Sequence, residues 1–377
     1  MSKWDLVQLG DVCVILDNMR VPITASERKK GIYPYYGANG IQDYVDDFIF
    51  DDELVLLAED GGNFGSKDRP IAYRVSGKCW VNNHAHVLKP KSMLDVDYLC
   101  YSIMFYDVSK LINGTTRAKL NQAAMRKMII PLPPLPVQQK IADVLDRASV
   151  LIEKRKSQIA MLDLLVKSRF VEMFGDPVRN PMGWEVRALG ELCNKITDGK
   201  HGGCVVEVGS GFFFVGAREI SNGEIHYETA PEITPKDFHE SYKRCNLEIG
   251  DLVIVNTGAT IGKNAMAKDL RTNNTLLQKS VALLKANKQL ILPIFLQYCY
   301  ITNPSMYRVE SASAQPNLLL SKIRVTEIYV PPLHLQTQFS DFVRAVDKSK
   351  AEMQSELERL ELLYKSLMQK CFNGEMF

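Results

Sequence analysis

The sequence predicts an α+β protein: two similar α/β domains separated by two long helices that pair as an antiparallel coiled coil about a pseudo-two-fold axis. Three observations predict it. The chain is written twice, each copy closes on a proline pair followed by a long helical pattern, and the apolar positions of the two helices match in spacing and number. With 377 residues at 46% apolar composition, there is chain enough for more than one core.

The first domain is assigned to residues 1–132 and the second to residues 179–330. Trp4-Asp-Leu-Val-Gln-Leu-Gly-Asp-Val-Cys13 opens one, and Trp184-Glu-Val-Arg-Ala-Leu-Gly-Glu-Leu-Cys193 opens the other with tryptophan, leucine, glycine and cysteine in register. The apolar strand Asp52-Glu-Leu-Val-Leu-Leu57 returns as Gly250-Asp-Leu-Val-Ile-Val255. Each strand runs into a glycine turn, Asp60 to Gly65 and Thr257 to Gly262. Tyr35-Tyr-Gly-Ala-Asn-Gly40 has no clear second copy, which weakens any transfer of contacts between the halves.

The spacer helices are assigned to residues 133–178 and 331–377. Pro133-Pro134-Leu135 and Pro331-Pro332-Leu333 halt the preceding strand and set each helix start. In the first helix the seam is Ile141, Leu145, Ala148, Ile152, Ile159, Leu162, Val166 and Met173, interrupted by Arg155 and Arg169. In the second it is Phe339, Val343, Val346, Met353, Leu357, Leu360, Tyr364, Leu367 and Cys371, interrupted by Lys350. Steps of four and three mark a coiled-coil seam. Each buried apolar seam side chain contributes about 1.5 to 3 kcal/mol, which outweighs the three charges. The off-seam residues Glu153, Lys154, Lys156, Glu356, Glu358 and Glu361 are left for water or for a docking partner.

Net charge is only +2, but the charge is sorted along the chain. Residues 43–60 hold eight acids and no base, whereas residues 61–91 hold six bases against Asp68 alone. Acid-rich 219–251 is followed in the same way by 256–293, with six bases against Asp269. Lys110, Arg117, Lys119, Arg126 and Lys127 fall in a stretch with no acid. Basic segments of this kind suit a phosphate backbone, and two such domains on a spacer suit duplex DNA read at two separated half-sites.

The chemistry of several enzyme classes is missing from the sequence. Gly258-Ala-Thr-Ile-Gly-Lys263 has three residues between its glycines and Asn264 after the lysine, so it does not form a phosphate loop. Neither Asn180-Pro181 nor Asn303-Pro304 continues into the second proline expected of an amino-methyltransferase of DNA. No catalytic residue, cofactor or metal site is expected. His84 and His86, two apart on a strand, would hold a metal only if a third ligand arrived from elsewhere. Eight scattered cysteines without a CxxC pair read as reduced thiols. No apolar run is long enough to span a membrane, and the amino end carries no secretory pattern, so a cytoplasmic protein is expected.

Layout and phrases together resemble the specificity subunits of type I restriction-modification systems, over essentially the whole chain. The phrases are Tyr35-Tyr-Gly-Ala-Asn-Gly40, Val81-Asn-Asn-His-Ala-His-Val87, Gly258-Ala-Thr-Ile-Gly-Lys263 and the helix starts from Ile130 to Gln139 and from Val330 to Gln336. The second helix start has Thr337 where the first has Gln139. The resemblance implies two target-recognition domains reading an asymmetric bipartite site in double-stranded DNA. It also implies two modification subunits docked on helices and domains, with restriction subunits outside. S-adenosylmethionine, ATP and Mg would then belong to the partners. Two alternatives stay open: a tandem scaffold that binds protein without DNA specificity, and a self-contained DNA methyltransferase.

Base readout takes Arg, Lys, Asn, Gln or Ser on exposed edges, and phosphates take Lys and Arg. The DNA-binding candidates in the first domain are Lys67, Arg69, Arg74, Asn82, His84, Arg117 and Lys119. In the second they are Lys200, His201, Lys263, Lys268, Arg271, Gln315 and Asn317.

Overall fold

A computed structural model describes residues 3–114, 118–308 and 316–377. The chain divides into two compact units, Met1–Lys156 with Ser355–Phe377, and Ser157–Gln354.

Unit 1 opens with β1 (Leu6–Gln8), α1 (Leu9–Val12) and β2 (Cys13–Ile15), followed by β3 (Lys30–Gly37), β4 (Gly40–Val45), β5 (Phe50–Ala58), β6 (Ala72–Val81) and β7 (Ala85–Pro90). Helices α2 (Val96–Ile103) and α3 (Gln122–Arg126) lead to β8 (Ile129–Pro131) and the long α4 (Leu135–Phe174). The main sheet runs β2-β7-β5-β6-β3-β4, antiparallel except where β3 lies parallel to β6; β1 and β8 form a separate antiparallel pair. Central β5 ends in an unbroken apolar run, Leu54 to Ala58, because both its faces are covered there. Val55 and Leu57 face the core that holds α2 and the helix pair, whereas Leu54 and Leu56 face a second core with Phe50 and Val87.

Unit 2 repeats this plan. It contains β9 (Glu185–Ala188), α5 (Leu189–Leu192), β10 (Cys193–Asp198), β11 (Phe213–Val215), β12 (Ile220–Ser221), β13 (Glu224–Ile225) and α6 (Pro235–Cys245). Then come β14 (Leu252–Val255), β15 (Asn264–Met266), β16 (Thr275–Leu277), β17 (Val281–Ala286), α7 (Pro293–Thr302), α8 (Leu320–Val325), β18 (Glu327–Val330) and α9 (Leu333–Asn373). Its main sheet runs β10-β17-β14-β15. Strand β6 of unit 1 is here split into β15, which pairs with β14, and β16, which lies parallel to β11. Alternate residues of β14 again serve two cores, Leu252 and Ile254 on one side, Val253 and Val255 on the other.

The parallel pairs supply the copy of Tyr-Tyr-Gly-Ala that the sequence does not display. Tyr36 of β3 stands opposite Val81, and Val215 of β11 stands opposite Leu277. The Asn82 amide then donates to Tyr36 O at 3.0 Å, as the Gln278 amide donates to Val215 O at 2.8 Å. Phe214-Val215-Gly216-Ala217 is therefore the counterpart of Tyr35-Tyr36-Gly37-Ala38. The expectation of no second copy is corrected: an aromatic residue and Gly-Ala persist, while the tyrosine at the middle position does not.

The long helices begin directly after their proline pairs, a turn earlier than the apolar periodicity alone suggests. First-turn amides need no intrahelical partner, so prolines cost nothing there. Helices α4 and α9 have 40 and 41 residues, about 60 Å each at 1.5 Å per residue. They run antiparallel within each unit. In unit 1, Arg155 pairs with Glu356 at 3.0 Å and Lys156 with Glu361 at 3.2 Å; in unit 2, Lys350 pairs with Asp163 at 2.7 Å. Every seam residue named above is buried or half-buried. Ile141, Leu145 and Cys371 enter the unit 1 core, and Val166, Phe170, Phe174, Phe339 and Val343 enter that of unit 2. Phe174 meets Phe295 edge-on at 4.9 Å, and Phe170 meets Phe339 at 5.3 Å, geometries that favour aromatic pairs.

A buried glutamine locks each helix start to its own domain. Gln138 accepts from the Asp95 amide at 2.8 Å and donates to Met93 O and Pro133 O. Gln336 does the same with the Leu292 amide, Leu290 O and Pro331 O. Replacing Gln138 by leucine removes the side-chain partner of three backbone groups, of which Pro133 O is buried. The Gln138→Leu variant is expected to lose about 2–4 kcal/mol, read as a lower urea midpoint for unit 1.

Candidate nucleic-acid interface

In unit 2, Lys200, Gly202, Thr257, Gln278, Lys279, Ser280 and Asn317 line one polar cleft. Its walls are the ends of three chain segments held by backbone hydrogen bonds. The Asn256 amide donates to Ser280 O at 3.0 Å, the Leu318 amide to Asn256 O at 2.7 Å, and the Lys279 amide to Lys200 O at 3.0 Å. Thr257 donates to Asn317 Oδ1 at 3.1 Å across the opening. Lys200 is steadied by Asp237 at 2.6 Å; that hydrogen bond raises the lysine pKa and lowers that of the carboxyl.

Unit 1 builds the same frame. The Glu59 amide donates to His84 O at 2.9 Å, and the Leu120 amide to Glu59 O at 2.7 Å. Asp60 and Lys119 bridge as Thr257 and Asn317 do. His84 Nδ1 lies 2.5 Å from Asp60, and the His84 amide donates to Asn82 Oδ1 at 2.8 Å. Asn82, itself buried, donates to Gln42. Behind each frame the end of a glutamine side chain closes over a glycine: a Cβ on Gly37 would lie 2.2 Å from Gln42 Nε2 and 3.1 Å from Asn82 Nδ2, and one on Gly216 would lie 2.4 Å from Gln278 Oε1, so a larger residue would have to displace those side-chain ends.

Beneath the unit 1 frame lies a buried polar network. His86 Nδ1 is 2.6 Å from Asp17 and 3.7 Å from Glu59, while Nε2 lies 2.8 Å from Leu120 O. Arg20 reaches Glu59 at 2.6 Å and Ala85 O at 2.7 Å, and Lys119 closes on the other Glu59 oxygen at 2.9 Å. Asp17, Glu59 and His86 stand close enough to share a cation. Both ring nitrogens already face acceptors and two cations already face Glu59, so these residues do not fit a metal. Burial raises the Asp17 and Glu59 pKa values, but hydrogen bonds and the nearby charge of His86 outweigh it, and both carboxyls are held below their ordinary range. Asn256 and Ala282 replace Glu59 and His86 in unit 2, so the ionic network is a feature of unit 1.

The sequence candidates divide on this geometry. The frames bring together Asn82, His84 and Lys119 in unit 1, and Lys200 and Asn317 in unit 2. Lys67, Arg69 and Lys263 are exposed on glycine turns. Arg74 lies on β6, tied to Glu53 and Asp97. Lys268 pairs with Asp347 of α9 at 2.8 Å, and Arg271 pairs with Asp269 at 2.7 Å and Glu228 at 3.0 Å. His201 leans on Asp198 and Arg244. Arg117 and Gln315 lie outside the described residues. Arg20 was not among the candidates, although it follows Cys13 at the distance at which Lys200 follows Cys193. Asp60, Asn83, Thr257, Gln278, Lys279 and Ser280 were also missed, because their importance rests on strand register. The described cysteines are free, and all but Cys204 are buried; burial pushes the Cys13 thiol up to about 12. Among the described residues no helix is long and apolar enough to cross a membrane.

A duplicated frame that carries different polar side chains on the same exposed backbone is the build of a modular recognition protein. The chain belongs to the type I restriction-modification DNA specificity family: the sequence model of the type I restriction modification DNA specificity domain matches residues 1–161 and again 181–362. It is 22% identical over 409 residues to the type I restriction enzyme MjaVIII specificity subunit of Methanocaldococcus jannaschii, covering 100% of this chain and 93% of that one. A putative type I restriction enzyme specificity subunit of Haemophilus influenzae is 39% identical over 150 residues, a stretch spanning 40% of this chain and 38% of that protein. The fold is similar to the crystal structure of the type I restriction-modification S subunit from M. genitalium, with a TM-score of 0.59 at 17% identity, covering 98% of this chain and 96% of that one.

The pKa directions set a pH dependence for unit 1. A carboxyl whose folded pKa is lowered contributes stability above its unfolded value, about 4, and loses it as pH falls through the folded value. Asp17→Asn is expected to be less stable than the native chain at pH 7, with the gap closing toward pH 2 in urea titrations.

Proposed function

We propose that this chain reads an asymmetric, two-part site in double-stranded DNA for a type I restriction-modification complex and carries no chemistry itself. The observation that supports this reading most is the pair of frames: one backbone arrangement, two sets of donors and acceptors. Base pairs are told apart in the major groove by donor and acceptor pattern, so two differing sets suit two differing half-sites. Methyl transfer from S-adenosylmethionine to adenine would belong to two modification subunits, and ATP- and Mg-dependent translocation and cleavage to restriction subunits, in the cytoplasm. A solved relative at 17% identity with a TM-score of 0.58 comes from work on complex assembly of the type I system.

The long helices offer a surface for such partners. Off the seam, Val150, Leu151, Leu362 and Leu363 in unit 1, and Met161, Leu164, Leu165 and Val171 in unit 2, are exposed by 44–69%. Apolar area of this kind on a helix is what a modification subunit would cover.

Fluorescence anisotropy of the purified full chain on duplex DNA, with salt varied, tests the reading. The expected log–log slope of affinity against salt is about −3 or steeper, since each neutralised phosphate contributes about −0.9. A slope near zero, or methylation of DNA by the chain alone, would contradict it.

A further inference from the structure

Strand register and shared hydrogen bonds match five positions of one frame to five of the other. Asn82 and Gln278 follow the matched strands β6 and β16, and both amides donate to the residue before the paired glycine. Asn83 and His84 therefore answer to Lys279 and Ser280, with His84 O accepting from the Glu59 amide as Ser280 O accepts from the Asn256 amide. Asp60 and Lys119 answer to Thr257 and Asn317 through their bridges.

Around these positions the two units keep their residues: Gly37 and Gly216, Ala38 and Ala217, Leu120 and Leu318, Gln138 and Gln336. At the five positions themselves, not one residue is kept. A position needed for the frame would repeat, as the glycines and glutamines do. A position that repeats in backbone and changes in side chain is not fixed by the shared frame, and every replacement here swaps one hydrogen-bonding group for another. Asp60 with His84 presents a carboxylate and an imidazole, where Thr257 with Ser280 presents two hydroxyls. Lys119 places an ammonium where Asn317 places an amide, and Lys279 places one where Asn83 places an amide.

We infer that these five matched pairs are the specificity-determining positions of the chain, the unit 1 set reading one half of the target and the unit 2 set the other. This rests on the DNA-recognition reading above. It assigns readout to Asn83, Lys279, Gln278, Thr257 and Ser280, and it leaves Arg74, Lys268 and Arg271, which lie outside the matched positions, without readout. Arg20 and Lys200 act as positioning residues: Arg20 holds Ala85 O, and Lys200 is braced by Asp237.

The test is selection from a randomised duplex pool by the full chain, followed by sequencing of the bound DNA. It compares the native chain with Asn83→Ala, with Gln278→Ala plus Lys279→Ala, and with Arg271→Ala. Asn83, Gln278 and Lys279 are exposed, so truncation removes no packing; Lys279→Ala alone serves if the double variant does not fold. The native chain is expected to enrich a split motif. The unit 2 variant should relax one block and leave the other, Asn83→Ala should relax the opposite block, and Arg271→Ala should leave both. Preference at an affected base should fall roughly five- to hundred-fold. A native motif that survives unchanged in both frame variants overturns the assignment while sparing the DNA reading. A native chain that enriches no sequence at all removes both.

Discussion

Each unit completes its core with the end of the long helix that follows the other repeat, and the rest of the architecture depends on that constraint. The last turns of α9 place Tyr364, Leu367, Cys371 and Phe372 against the sheet and helices of unit 1, and the last turns of α4 place Val166, Phe170 and Phe174 against those of unit 2. In unit 1 this brings residues 355–377 back to 1–156 across the intervening chain, a closure whose entropic cost grows slowly with length. The buried glutamines then fix the other helix of each pair, so in both units a domain is gripped by one helix start and one helix end.

That grip explains how a surface can vary without disturbing the fold. The backbone of each frame is held by amide–carbonyl bonds between neighbouring segments, with a glycine behind it over which a glutamine side chain closes. The side chains at the rim differ between the units while this backbone frame is kept. Hydrogen-bonding groups there are therefore exchangeable, which is what recognition of different targets on one scaffold requires. The two units reach comparable frames by different means. Unit 1 stiffens its frame with Asp17, Glu59, His86 and Arg20, whereas unit 2 places Asn256 and Ala282 at the positions of Glu59 and His86.

Much of this was legible in the sequence because it is periodic or repeated. The coiled-coil seam from Ile141 to Met173 and from Phe339 to Cys371 follows from spacing alone, and the proline pairs mark both helix starts. The runs Leu54 to Leu57 and Leu252 to Val255 signal strands covered on both faces. Pairing across long separations was not legible. Whether Arg74, Lys268 or Arg271 is free for DNA depends on Glu53, Asp97, Asp347 and Glu228, acids brought near only by the fold. The copy of Tyr35-Tyr36-Gly37-Ala38 at Phe214 to Ala217 was hidden because unit 2 keeps glycine and alanine but changes the tyrosine that precedes them. Asp60, Asn83, Thr257 and Lys279 carry no signature of their own, and only strand register sets them side by side.

The most direct measurement of the central claim is a genome-wide map of methylated adenines in the source cell, with this gene intact and with it deleted. The account predicts that a single split motif, two short blocks around a fixed unread gap, disappears with the gene. An unchanged map, with the gene and its modification partners expressed, would contradict it.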